Sequence, residues 1–263
     1  PDRGQGPAQA EASQPQPQIA EFSGSVMQNR YVGDIGDFAK YSFLNCLAGD
    51  QLLGVAWYLF PDETHNADGK HIHYLSKHRE WRNKDPYVFD RLLDLIESGQ
   101  RSVENVEKRS VLGNAIFSGR VLDHASERPR DRSEFRKAWF SSVLSDLAEA
   151  DIVFADPDNG VREVEKYRFG RRRDWKSIPE SEARELGTGR TAVIYHHNTR
   201  RRGGHEREIQ YWMAKFEADF AVRMRAYSAR TYFVLNASVD HQERARSWCA
   251  RFGSKYQFVK SEL

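Results

Sequence analysis

The stretch Asp151-Ile152-Val153-Phe154-Ala155-Asp156-Pro157-Asp158-Asn159-Gly160 decides the reading of the chain. An apolar, partly β-branched run is followed without a break by two acids, a proline, an amide and a glycine. Such a run, ended by turn formers, predicts a buried strand over Asp151–Ala155 and a tight loop after it. Pro157 fixes its own φ, and Gly160 admits a left-handed turn. The side chains of Asp156, Asp158 and Asn159 then converge where the strand ends. Groups so placed hold Mg²⁺, take a proton or bind an exocyclic amine. The plainer alternative is an Asx-rich turn with no ligand.

On both sides of this stretch, strands alternate with helices. Arg132–Ala150 carries Phe135, Trp139, Val143 and Leu147 at four-residue steps, which predicts an amphipathic helix. Leu52–Phe60 is a continuous apolar run halted by Pro61, a second buried strand. Further strands are predicted at Ala115–Leu122, Thr191–Tyr195, Thr231–Asn236 and Tyr256–Val259. Helices are predicted at Asp37–Ala48, Pro86–Ser98, Glu180–Leu186, Glu206–Ala218 and His241–Phe252. The alternation predicts a Rossmann-like α/β fold, a mostly parallel sheet with helices on both faces. Ligands of such sheets bind beyond the carboxyl ends of the strands, where the strand order reverses.

Composition sets limits. Of 263 residues, 39% are hydrophobic and 30% charged, which reads as one globular domain of real core size. A net charge of +2 implies no partner by itself. No apolar run approaches the roughly 20 residues of a membrane helix. Cys46 and Cys249 lie in apolar, helix-like stretches and read as buried thiols, which fits a reducing cytoplasm. Residues 1–26 are rich in Pro, Gln, Ala, Gly and Ser, with no period and no signal-peptide pattern. They read as a disordered or non-native extension before a domain spanning residues 27–263.

Other stretches add chemistry. Gly33-Asp34-Ile35-Gly36-Asp37 precedes a helix that carries Lys40 and Tyr41. Glycines there free backbone N–H groups for an anion or a ribose, or else Asp37 is a simple N-cap. Asp62 or Glu63, after the strand at Leu52–Phe60, suits a ribose hydroxyl. His196 and His197 end the strand at Thr191–Tyr195. Neighbours on a strand face opposite ways, so one of the two enters a site there; His196 is taken as that residue. His65, His71, His73 and His78 have irregular spacing and no nearby cysteine, and read as surface residues. From Arg162 to Arg207, thirteen Lys or Arg face seven Asp or Glu. This belt holds Arg171, Arg172 and Arg173, then Arg200, Arg201 and Arg202, with Tyr167, Phe169 and Trp175 between them. It suits phosphate neutralisation and base stacking, or is a solvated charged loop.

The motifs resemble those of the large-subunit ribosomal RNA adenine methyltransferases of the RlmJ type. That family's Gly-x-x-x-Asp-x-x-Lys-His is matched in spacing by Gly33, Asp37, Lys40 and Tyr41. Its Asp-Pro-Pro-Tyr-Glu, after an apolar strand, is matched by Asp156-Pro157-Asp158-Asn159-Gly160, with Asn159 where the family has an aromatic. The chain also resembles an uncharacterised bacterial group with Gly-Asp-x-Gly-Asp-Phe and Asp-Pro-Asp-Asn-Gly signatures. The family resemblance implies a methyltransferase-like fold, S-adenosylmethionine as cofactor and nucleic acid as substrate. Gly33, Asp37, Lys40, Tyr41 and Asp62 would then line the cofactor pocket, and Asp156 and Asn159 would hold the acceptor amine. Two alternatives stay open: a Mg²⁺-dependent phosphodiesterase using Asp156, Asp158 and a histidine, and a non-catalytic nucleic-acid-binding protein.

Overall fold

A computed structural model describes residue 29 and residues 32–60, 71–123 and 127–261. The expected extension at residues 1–26, and Asp62 with the rest of the loop 61–66, lie outside the described residues.

The elements run in this order: α1 (Ile35–Ala48), β1 (Leu53–Trp57), α2 (His78–Trp81), α3 (Pro86–Glu97), α4 (Val103–Lys108), β2 (Ala115–Ser118), α5 (Arg132–Asp146), β3 (Ile152–Asp156), β4 (Val161–Arg162), β5 (Ile178–Pro179), α6 (Glu180–Leu186), β6 (Thr191–His197), α7 (Gly204–Phe216), β7 (Phe220–Met224), β8 (Arg230–Leu235), α8 (Val239–Phe252) and β9 (Tyr256–Lys260). Seven strands form one sheet in the order β2-β1-β3-β6-β8-β7-β9, and β4 and β5 pair separately.

The sheet is mixed rather than mostly parallel. β2, β1, β3 and β6 pair in parallel, whereas the β6–β8, β8–β7 and β7–β9 pairings are antiparallel. The short connection from Met224 to Arg230 accounts for the difference. So few residues cannot carry a parallel crossover, so β8 must return beside β7.

Alternation along the strands builds two cores. Ile152 and Phe154 of β3 face α1, α3 and α8, packing with Phe38, Phe89 and Trp248. Val153 and Ala155 face the other way, toward Trp139, Ile178, Ala183 and Trp212 on the side of α5, α6 and α7. Helices therefore cover both faces, as the alternating pattern predicts. Each large apolar side chain buried this way contributes about 1.5–3 kcal/mol. On the second face, Arg136 of α5 is buried and donates to both carboxylate oxygens of Glu182 in α6, at 2.9 and 2.6 Å. Cys46 and Cys249 are free thiols, the second buried. Among the described residues, no helix is long and apolar enough to cross a membrane.

The order reverses between β1 and β3: β2 lies beyond β1, and β6 lies beyond β3. The carboxyl ends of these two strands, at Trp57 and Asp156, stand side by side. This is the switch point at which an open α/β sheet forms its crevice.

Candidate functional site

Asp156 is the last residue of β3 and shares its face with Ile152 and Phe154, toward α1. The Lys40 ammonium lies 2.8 Å from its Oδ2 and 2.9 Å from Oδ1 of Asp37. All three side chains are buried. Asp37 and Lys40 meet because residues three apart share a helix face. Burial alone would lower the Lys40 ammonium, but Asp156 and Asp37 outweigh it and hold Lys40 well above its ordinary value. Lys40 therefore stays charged.

The helix begins earlier than the sequence suggests. Asp34 is the N-cap, its side chain accepting from the Asp37 N–H at 2.9 Å, and Gly36 already lies in the first turn. With the cap supplied by Asp34, the Asp37 carboxylate turns to Lys40. Gly33 has φ +82°, a conformation that favours glycine. Tyr41 is core: its ring meets the Trp57 ring edge-on at 6.4 Å. Burial, then Asp37, pushes its phenol well above the ordinary value.

Arg230, the first residue of β8, completes the cluster, and no sequence signal marked it. Its guanidinium lies across Gly36, where a Cβ would come within 1.5 Å of Nη1. Nη2 is 4.0 Å from Asp34 Oδ2, and Nε donates to Ser228 Oγ at 2.7 Å. Tyr195 of β6 borders the same cluster, and burial pushes its phenol up to about 12. Formally, three carboxylates (Asp34, Asp37, Asp156) surround two cations (Lys40, Arg230), so the site carries one excess negative charge.

The loop after β3 is tightly held. Gly160 has φ +73°, and a Cβ there would sit 2.6 Å from His196 Nδ1 and 2.7 Å from the His197 nitrogen. Asn159 N–H donates to the Lys176 carbonyl at 2.7 Å, while its side chain is exposed. Asp158 is partly exposed and 3.7 Å from the Lys176 ammonium. Asp156 thus points into the cluster, whereas Asp158 and Asn159 lie on the rim.

His196 lies on the other face, correcting the choice between the two histidines. The Val161 N–H donates to Nδ1 at 3.1 Å, so the ring proton is on Nε2, which faces Glu208 Oε1 at 3.3 Å. Both ring nitrogens are engaged, and the residue is 1% exposed. Glu208 also accepts from Thr199 N–H and Oγ1. His196 therefore fastens the β3 loop to α7. His197 shares the face of Tyr195 and Asp156, exposed at its edge; partial desolvation of the ring, then Arg230 and His196, lower its pKa, which favours the neutral ring.

The two arginine triplets are separate structures. Arg171, Arg172 and Arg173 are exposed on a turn anchored by buried Asp174, which accepts from Arg162 and from the Arg168 N–H at 2.6 and 3.0 Å. Arg201 stacks on Tyr211, its guanidinium carbon 3.5 Å from the ring centroid, while Arg200 and Arg202 are exposed. His71 and His73 are exposed, and His71 stacks on Tyr227 at 4.6 Å. Among the described residues, no three His, Cys, Asp or Glu side chains are grouped as metal ligands.

No protein-family model matches the chain, and no curated protein matches it either.

Proposed function

We propose that the chain is a methyltransferase-like protein of the Rossmann-like α/β class, using S-adenosylmethionine and acting on nucleic acid. One observation carries the reading: Asp37, Lys40 and Asp156 form a buried cluster where the strand order reverses between β1 and β3. The donor set fits the cofactor. A single excess negative charge complements a sulfonium, and the Arg230 guanidinium offers a fork to a carboxylate. Gly33, Asp37, Lys40 and Arg230 would hold the cofactor, with Tyr41 behind them as a wall.

The cofactor supplies an electrophilic methyl group. The chain's task is to position and desolvate the acceptor. Asp156 accepts a hydrogen bond from an acceptor amine and orients its lone pair toward the crevice. Lys40 holds the Asp156 carboxylate in a fixed position, so no reorganisation is needed as charge develops. His197 and Asp158 stand at the rim, within the polar surface that an acceptor would cross.

A Mg²⁺-dependent phosphodiesterase finds less support. Each carboxylate already faces an ammonium, Asp156 Oδ2 that of Lys40 and Asp158 that of Lys176, which leaves less negative charge for a divalent cation. The test is isothermal titration with S-adenosylhomocysteine, followed by Asp156→Asn. Binding should survive the substitution while turnover on nucleic acid falls on the order of 10²-fold. Absence of binding to the wild-type chain would overturn the cofactor assignment. Full activity of the variant would remove Asp156 from the mechanism.

A further inference from the structure

A second concavity lies on the opposite face of the sheet, between α7 and the strands β7 and β9. It measures about 810 Å³ and is lined by Arg201, Arg202, Arg207, Tyr211, Arg223 and Gln257, among others. It opens at the same end of the sheet as the Asp156 cluster. α7 starts just beyond the carboxyl end of β6, and Arg223 is next to last in β7, which runs parallel to β6.

Two independent features give this groove an unmet demand for negative charge. The first is Arg223. Its side chain is 9% exposed, and its carboxylate partner is Glu206, 2.5 Å away but 76% exposed on the rim. Its Nε is buried without a hydrogen-bond partner. A buried cation whose counter-ion stands in water is under-compensated. The second is the start of α7. Gly203 is the N-cap, no side chain caps the helix, and the backbone there is left-handed at φ +101°. The positive end of a 13-residue helix therefore lies next in the chain to Arg202 and carries Arg207 in its first turns.

We propose that this groove binds the phosphodiester backbone of a single nucleic-acid strand, with phosphates at Arg202, Arg207 and Arg223. This deepens the nucleic-acid reading above and rests on it. The arginine forks match phosphate oxygens. The Arg201–Tyr211 stack and the amide of Gln257 offer a planar surface and hydrogen-bonding groups to bases, which an acidic peptide would not use.

The test is fluorescence anisotropy of a labelled oligouridylate and a labelled oligothymidylate, read at several salt concentrations. Wild-type protein should bind, with affinity falling steeply as salt rises. Arg202→Ala/Arg207→Ala, both exposed positions, should weaken binding at least about ten-fold and reduce the salt slope by about two. Arg223→Gln should weaken it too, with the melting temperature recorded to confirm folding. If the double variant binds like wild type while Arg171→Ala/Arg172→Ala/Arg173→Ala is weakened, nucleic acid binds elsewhere and the groove assignment is overturned. If polyglutamate displaces the oligonucleotide at equal charge concentration, the groove belongs to an acidic protein and the assignment is again overturned. If wild-type protein binds neither oligonucleotide at low salt, the nucleic-acid reading itself falls, and the groove with it.

Discussion

The Lys40 ammonium and the Asp156 carboxylate, 116 positions apart in sequence, meet at 2.8 Å in the crevice between β1 and β3. Asp37 shares the same ammonium. Lys40→Met leaves two buried carboxylates facing each other with no cation between them. The expected cost is roughly 3–5 kcal/mol, because an uncompensated buried charge loses its solvation and gains nothing. Lys40→Met/Asp156→Asn should cost less than the sum of the single changes. Urea unfolding of the four proteins measures the coupling, and strict additivity would show that the pair does not interact in solution.

Gly160 offers a sharper test of the loop. At φ +73°, with His196 and His197 where a Cβ would go, alanine is both strained and blocked. Gly160→Ala should destabilise by at least about 2 kcal/mol and detach the loop after β3. Calorimetry gives the loss of melting temperature. Loss of ligand binding beyond that of an equally destabilising core change would show that the loop shapes the crevice.

Glu208 should make the fold acid-sensitive. Burial by itself would raise its pKa, but hydrogen bonds from His196 and Thr199 overcome this and bring it down to about 2, from an ordinary 4.5. A carboxyl depressed in the folded state stabilises it above the unfolded pKa, and that contribution is lost as the pH falls through the folded value. The window runs from pH 4.5 down to about 2. Glu208→Gln should be less stable at neutral pH and flatter across this window. Urea midpoints at stepped pH values check it; parallel curves for variant and wild type would refute the linkage.

On the proposed nucleic-acid reading, the exposed triplet at Arg171, Arg172 and Arg173 would be a second point of contact for a long strand. Replacing all three with alanine should flatten the salt dependence by roughly one unit per lost phosphate contact. An unchanged slope would make these residues ordinary solvated charge.

Much of this arrangement can be read from residue order. β3 and its loop stand out because a buried parallel strand is a continuous apolar run, and because Asp, Pro, Asn and Gly declare the turn. The pairing of Asp37 with Lys40 follows from helical spacing. Other parts have no local signal. Asp34 and Asp37 are equally able to cap, so the helix start shifts by two residues. Arg223 interrupts the apolar run of β7, which hides that strand and with it the antiparallel half of the sheet. Alternation separates His196 from His197, but which face holds the site depends on the side taken by α1, a tertiary fact. Arg230 gains its role from α1, far away in sequence, and Glu208 from His196 and Thr199 across the turn between β6 and α7.

The reach of Arg230 across Gly36 has a further consequence, for the order in which the molecule is made. One wall of the crevice comes from the first helix and another from a strand almost two hundred residues later. Synthesis proceeds from the amino end at about 5–20 residues per second. A growing chain with α1, β1 and β3 already in place therefore still lacks its guanidinium for seconds. Ligand binding by truncated or nascent chains should appear only after β8 has emerged and docked, so binding competence reports completion of the whole sheet.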